Sequence, residues 1–403
     1  MSESRHLTTG QEYMLAVAAA VVTANAYYIH PIIGDVARTF GVSIAQIGIV
    51  PALNQLALAI GILLLLPLGD RFSNRRLTIV FCIGQCAGLV FMTLAGGFLG
   101  FVVGSTLLGF FTLAPYLLPA YASKRVAPER LGHVTAILTS GVIFGILVAR
   151  VGSGVVAHHF GWRTVYWIAS TAMIAITLLL PRIMTREGEQ AGGRQGEAHT
   201  SYFRLLGSLG PIVANNREIL LSGAIQGLGF GQFIALWLGL ALQLTSPEMG
   251  YGTDVVGYLA GFAAVSVLST PYWGRLADRV GPRRARVWFA AGQTAGTALL
   301  LPFGGNLWLL MIPLLAGNVV GPAIDVTTRM TFLSLDPALR TRLTTVYIAM
   351  MFLGGAIGSI AGTAAFEAFG WAGTAVYALV SCIGITVLAV VAWRRYGDAA
   401  ARA

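Results

Sequence analysis

Charge is what this sequence has little of. Asp, Glu, Lys and Arg make up 10% of its 403 residues, against about 25% in soluble globular domains. With 56% apolar residues and a mean hydropathy of +0.75, that shortage excludes an ordinary soluble fold and indicates a chain embedded in lipid. Cysteine is scarce as well. Cys82, Cys86 and Cys382 all fall inside apolar runs, so no disulfide framework is implied. Cys82 and Cys86 share a helix face, but no His or acid accompanies them, and they read as small packing residues. Basic residues outnumber acidic ones, 26 to 16, yet no basic run with interleaved aromatics occurs, so no nucleic-acid partner is expected. A nucleotide loop is missing too: Gly227-Leu-Gly229-Phe-Gly231 lies inside an apolar span with no preceding strand, and reads as a flexible stretch of helix. ATP-driven pumping therefore has no support. His158 and His159 are adjacent but have no acidic companion in sequence, so neither a metal site nor a membrane-embedded enzyme is indicated, and no cofactor is expected.

Glycine, in contrast, is abundant, with 50 residues; lipid-embedded helices favour small residues where they pack closely. Apolar runs of about 20 residues, each long enough to span a bilayer, occur near 13–34, 45–68, 77–96, 98–122, 133–157 and 163–183. A second set follows near 218–243, 254–273, 285–304, 307–331, 343–367 and 371–393. The expected fold is an all-α polytopic membrane protein of twelve transmembrane helices, arranged as two six-helix parallel repeats. Residues 1–183 would form the first bundle and 218–403 the second. Residues 184–217 would form a cytoplasmic linker, flexible over Thr185 to Thr200 and helical on the membrane surface from Ser201 to Ile212. Ala24-Asn25-Ala26 resembles a cleavage site, but apolar sequence continues through Ile33, so the first helix is expected to stay uncleaved.

The basic residues sort by side. Only Arg38 and Arg163 fall at one set of helix ends, and Arg150 and Arg329 fall inside spans; the rest cluster at the opposite ends. The positive-inside rule makes the crowded side cytoplasmic, with both termini inside and the chain multi-pass in the cell (inner) membrane.

The two halves share written features. Gly69-Asp70-Arg71-Phe72-Ser73-Asn74-Arg75-Arg76 closes the second span, and Gly274-Arg275-Leu276-Ala277-Asp278-Arg279-Val280-Gly281-Pro282-Arg283-Arg284 closes the eighth, 208 residues later. Phe160-Gly161-Trp162 and Phe369-Gly370-Trp371 are offset by 209, as are Pro128 and Pro337. A hydrophobic chain that repeats its turns at a fixed offset is built from duplicated helix bundles.

With these motifs the sequence resembles the major facilitator superfamily of secondary transporters, over nearly its whole length. The family's signature between helices 2 and 3 is G-x-L-A-D-R-x-G-R-R/K, repeated more loosely between helices 8 and 9. The second copy here matches better, at Gly274, Leu276, Ala277, Asp278, Arg279, Gly281 and Arg283. The first keeps Asp70, Arg71, Arg75 and Arg76 but has Leu66 and Ser73 where the family has glycine. The resemblance implies a central cavity and a cytoplasmic gate in which Asp70 pairs with Arg125, although these arginines equally serve to set topology. The family's drug/metabolite:proton antiporter branch carries a glycine-proline pattern in helix 5. Gly145 and Gly154 fit it, but Ala149-Arg150 stand where Gly-Pro would be.

Ionisable residues at mid-membrane cost about 2.5–3.5 kcal/mol each on insertion scales. Arg150, Asp325 and Arg329 qualify. Asp325 and Arg329 lie one turn apart, and are either a proton carrier with its switching partner or a permanent ion pair. His30 and Arg150 each lie 17 residues into an outward-running helix, so similar depth is expected. His30 is then a proton or substrate group, or a packing histidine. Asn25, Tyr28, Asn54, Gln55, Tyr116, Gln226, Gln232 and Trp237 are further candidates for substrate contact. The expected function is proton-coupled export of a small organic compound, with an anion favoured by two buried arginines against one acid. Uptake of an organic anion, or a non-transporting membrane receptor, are the alternatives. The expected partners are substrate, protons and lipid, for a chain acting as a monomer.

Overall fold

A sequence this apolar has to satisfy its backbone hydrogen bonds internally, and helices do so throughout; no strand occurs among the described residues. The computed structural model describes residues 7–70, 72–184, 207, 209–262, 265–333 and 337–397, with the side chains at 70, 128, 209, 265–268, 270, 271, 333 and 337–341 outside that description. Arg71, the side chain of Asp70, the stretch Thr185 to Thr200 and residues 201–206 therefore lie outside the described residues.

The first part of the chain runs through α1 (Thr9–Ala24), α2 (Ile29–Phe40), α3 (Ile44–Ile47), α4 (Ile49–Leu65) and a 3-10 turn (Leu66–Asp70). It continues with α5 (Asn74–Leu94), α6 (Phe98–Phe110), α7 (Ala114–Ser123), α8 (Pro128–Phe160) and α9 (Trp162–Ile183). After the short α10 (Leu209–Asn215) come α11 (Glu218–Leu244), α12 (Thr253–Phe262), α13 (Val265–Val280), α14 (Pro282–Ala298), α15 (Leu300–Phe303), α16 (Leu307–Leu333) and α17 (Pro337–Tyr396). Among the described residues, nine segments are long and apolar enough to cross a membrane. The last, Arg342–Tyr396, is 55 residues long and is interrupted at Gly370 (φ 58, ψ −146). Gly161 also has positive φ, 81. At both places the chain leaves one long helix and enters the next through a conformation that a Cβ disfavours. Each glycine is followed by a Trp that ties the turn down: Trp162 Nε1 donates to Thr39 Oγ1 (2.9 Å), and Trp371 Nε1 to Leu300 O (2.7 Å).

Proline accounts for two other breaks. Pro31 has no N–H for the carbonyl of Tyr27, and Pro115 has none for Phe111. In both cases the chain unwinds just before the proline. Residues 25–28 form turns between α1 and α2, with His30 N–H taking the Tyr27 carbonyl (3.3 Å), and residues 111–113 separate α6 from α7. The second charged stretch is less of a turn than expected. Gly274 to Arg279 are helical within α13, and the reversal is confined to Gly281, after which Pro282 starts α14.

Helix contacts are closest where small residues face each other. A Cβ placed on Gly145 of α8 would lie 2.2 Å from Ala20 O of α1, and one on Gly354 of α17 would lie 2.1 Å from Gly227 O of α11. The Gly227–Gly231 stretch, expected to be flexible, is thus a closely packed face of a continuous helix. The expected surface helix has one described piece, α10, whose Ile212 and Val213 pack against Ile219, Phe332, Leu343 and Tyr347.

Candidate functional site

Residues from both parts of the chain surround a cavity of about 600 Å³, within the range of small-molecule sites. Its wall is largely apolar. The first part contributes Tyr27, Gln55, Tyr116, Ile143, Ile146 and Arg150, and the second contributes Gln226, Phe230, Gln232, Phe233, Trp237, Gln293, Asn318, Asp325 and Arg329.

Two charged constellations sit at different depths. Counting helical rise, Arg150 lies about 15 Å in from the Phe160 end of α8, and Asp325 about 27 Å in from the Leu307 end of α16, which faces the same way. Arg150 is buried, and no carboxylate within ion-pair distance of it occurs among the described residues. Its guanidinium lies 4.6 Å from the Phe233 ring centre, 4.7 Å from Trp237 and 5.4 Å from Tyr27, so aromatic faces take part of the place of a counter-ion. Among the described residues, its guanidinium makes one hydrogen bond, which joins Nη2 to His30 Nδ1 at 3.0 Å. A guanidinium only donates, so Nδ1 accepts and the ring is neutral with its proton on Nε2. The depth matching of His30 and Arg150 is therefore realised as direct contact, and the Pro31 break is what brings Tyr27 and His30 there.

The second constellation is a closed network. Arg329 Nε donates to both oxygens of Asp325 (2.9 and 3.0 Å), and Tyr347 Oη donates to Asp325 Oδ1 (2.6 Å). The guanidinium of Arg329 also sits over the Tyr347 ring, 4.9 Å from its centre. Tyr347, buried on α17, was not among the expected site residues; it is 22 positions from Asp325, and no local pattern links them. Gln293 Nε2 reaches Gln232 Oε1 (3.4 Å). Both amide atoms of Gln55 are buried at the cavity wall with no hydrogen-bond partner among the described residues.

Four expected substrate contacts are not among the residues lining the cavity: His30, which meets it only through Arg150, and Asn25, Asn54 and Tyr28. Asn25 sits in the α1–α2 turn and points to Met173 Sδ (3.5 Å). Asn54 donates to Ser105 O (2.8 Å), tying α4 to α6. Tyr28 is partly buried against the apolar core instead. Asn54 is directed to a neighbouring helix by the rotation of α4, and Asn25 and Tyr28 are directed by the turn between α1 and α2, which one sequence cannot report.

The expected Asp70–Arg125 pairing lies outside the described residues; among those described, the gating arginines make the following contacts. Arg75 caps the end of α9, donating to Met184 O (2.5 Å) and Pro181 O (2.9 Å). Arg283, 208 positions later, makes a bidentate pair with Glu218 at the start of α11, both bonds 2.7 Å. Each therefore fastens helices within its own part of the chain. Arg76, Asp278 and Arg279 are exposed. Arg125 lies over the Tyr121 ring, and its carbonyl accepts from Leu7 N–H. The sequence also gave no weight to Glu12, which is fully buried and paired with Arg130 (3.0 Å).

At the arginine-poor end the two parts touch directly. Thr253 Oγ1 donates to Gly154 O (2.9 Å) and Ser359 Oγ to Gly48 O (2.8 Å). His158 Nδ1 lies 3.5 Å from Asp254 Oδ1, an acidic companion that sequence proximity did not reveal. Glu367 accepts from Ala45 N–H (2.5 Å), placing a carboxylate at the N-terminus of α3, where it opposes the positive end of the helix dipole. Glu367→Gln removes that charge and is expected to loosen this end. Spin labels at Ser43→Cys and Ala368→Cys, in a chain otherwise lacking cysteine, should report a larger population of long distances. An unchanged distribution would show that Glu367 does not hold the closure.

The sequence profile described as Major Facilitator Superfamily matches residues 15–335 and 219–402. The chain is 30% identical over 367 residues to the uncharacterized transporter YgaY of Escherichia coli O157:H7, covering 89% of this chain and 90% of that one. It is 24% identical over 252 residues to the multidrug resistance protein MdtG of Citrobacter koseri, covering 61% of this chain and 56% of that one. Its fold matches the crystal structure of the nucleoside transporter NupG (D323A mutant) with a TM-score of 0.74 at 14% identity, over 96% of this chain and 100% of that one. Apolar helices of spanning length, a cavity walled by both parts of the chain and this profile match lead to one assignment: the chain is an integral membrane protein of the major facilitator superfamily, a transporter and not an enzyme.

Proposed function

We propose that the chain is a proton-coupled secondary active transporter that exports a small organic compound by alternating access of two six-helix repeats, twelve spans in all, around the central cavity. The observation that carries this reading is the Asp325–Arg329–Tyr347 network at the cavity wall. Asp325 is a carboxylate whose charge holds Arg329 in place. Its protonation would release Arg329, so a proton and the shape of the cavity are linked through one residue. The matched offsets of the Trp-tethered turns at Gly161 and Gly370, and of the close packing at Gly145 and Gly354, support the two-repeat layout, with domains 1–183 and 218–403 joined by the linker 184–217. The contacts between the parts at the arginine-poor end support a closed outer mouth, and the crowding of arginines at the opposite ends supports cytoplasmic termini in the inner membrane. Export is favoured by the likeness to MdtG, whose name is multidrug resistance protein. Uptake of an organic anion is the second reading, favoured by Arg150, a cavity cation without a carboxylate partner among the described residues.

The test is transport by the purified chain, as a monomer, in liposomes with an imposed pH gradient. Substrate movement should be coupled to opposite proton movement, and a protonophore should abolish it. Flux that is indifferent to the gradient would remove proton coupling, and flux in the same direction as protons would favour the uptake reading.

A further inference from the structure

We infer that Arg150 and His30, inside the frame of Tyr27, Phe233 and Trp237, form a subsite for the carboxylate of an aromatic acid. This assignment rests on the cavity being the transport site.

The argument begins with unmet bonding. Arg150 is 3% exposed and His30 1% exposed. The Nε–H of Arg150 and the Nε2 of His30 are both buried without a hydrogen-bond partner among the described residues. As His30 Nδ1 accepts from Arg150, its Nε2 carries a proton, so both orphaned atoms are donors. Buried donors beside an uncompensated positive charge are costly unless an anionic acceptor can meet them. A neutral ligand could meet the donors but would leave the charge uncompensated, and a cationic one would add to it. A carboxylate supplies a full charge and two acceptor oxygens, and forms the strongest hydrogen bonds available to guanidinium.

The frame decides what the carboxylate is attached to. Phe233 and Trp237 come from α11 and Tyr27 from the α1–α2 break, so the cation is enclosed by rings from both parts of the chain. Beside Arg150, one and two turns back along α8, lie Ile146 and Ile143, both at the cavity wall. A flat apolar body next to the carboxylate would meet aromatic faces and branched aliphatic side chains, with polar amides reached only further along the cavity, at Gln226 and Asn318. The volume of about 600 Å³ leaves space for more than one ring. The acid-bearing network of Asp325 lies deeper, so a ligand anion at Arg150 does not have to approach that carboxylate.

Three probes of one shape test this: naphthalene-2-carboxylate, its carboxamide, and the corresponding aminomethyl cation. Binding to the purified full chain is measured by isothermal titration calorimetry at pH 7.5. The wild type should bind the carboxylate about tenfold or more tighter than the carboxamide, and the cation more weakly than either. Arg150→Gln should remove the preference for carboxylate while leaving carboxamide affinity within about twofold, since the apolar walls are intact. Phe233→Leu should weaken all three while keeping their order. Wild-type selectivity needs no variant, so the assignment is tested even where Arg150→Gln fails to fold. Equal binding of carboxylate and carboxamide, no binding of the carboxylate, or selectivity that survives Arg150→Gln overturns it. Arg150-dependent carboxylate binding without any transport in liposomes would leave the subsite standing and defeat the transporter mechanism proposed above. Proton-driven transport of other compounds without carboxylate selectivity would do the reverse.

Discussion

In liposomes containing Asp325→Asn, transport driven by a pH gradient should fall by about 100-fold, the scale of losing a positioned proton-transfer group, while exchange of substrate across the membrane without a gradient continues. The substitution keeps the shape of the side chain. Its Oδ1 still accepts from Tyr347 or Arg329, so the helices α16 and α17 have no steric reason to separate. What is lost is the charge proposed above to change during the cycle. Arg329 then has the same partner in every state, and a gradient has nothing to act on. Measuring gradient-driven uptake and counterflow on one preparation separates the two roles. Loss of both would mean that Asp325 is needed for folding or for substrate binding. Retention of both would mean that the pair is a permanent structural ion pair. Tyr347→Phe removes only the 2.6 Å hydrogen bond to Asp325 and should give a smaller defect in the same direction.

Gly354→Leu should prevent recovery of folded protein altogether. A Cβ at this position would fall 2.1 Å from Gly227 O and 2.4 Å from Gly227 Cα, both backbone atoms that no rotamer change can move. The helices would have to part along α11 and α17, and with them the wall that carries Phe230, Phe233 and Trp237. Overpacking a well-filled contact costs about 1–3 kcal/mol where side chains can adjust, and here they cannot. Size-exclusion profiles and heat stability in detergent give the readout. Gly152→Ala is the control, because nothing lies within 4 Å of the added carbon, and it should behave as wild type. A monodisperse, heat-stable Gly354→Leu chain would refute the packing.

Much of the molecule was readable from one sequence because lipid constrains a chain so tightly. The scarcity of charge, the length of apolar runs and the side preference of arginine are each set by the cost of exposing backbone or charge to hydrocarbon. The Phe-Gly-Trp turns were visible for a similar reason: a reversal between two long helices calls for glycine, and the following Trp is conspicuous. Individual contacts were harder to see. The α1–α2 turn directs Asn25 to Met173 and helical rotation directs Asn54 to Ser105, although both were plausible cavity residues by type. Tyr347 and Glu12 were missed because their partners are remote in sequence or because a residue near the N-terminus reads as interfacial. The repeated turns were conspicuous as a charged motif, but the helix-fastening contacts of Arg75 and Arg283 were not legible, because their partners on α9 and at the start of α11 are remote in sequence.

By itself the sequence determined that this chain lies in a membrane, that its residues are helical and that its turns recur at a fixed offset, since those properties follow from local composition and spacing. It also marked Arg150 as anomalous, as a lone guanidinium in an apolar run always is. Only the tertiary structure decided what surrounds it. The Pro31 break carries Tyr27 and His30 to Arg150, and α11 brings Phe233 and Trp237 from more than 80 residues away. Whether a buried charge is compensated depends on groups within a few ångströms of it, and which groups come that close is settled by packing.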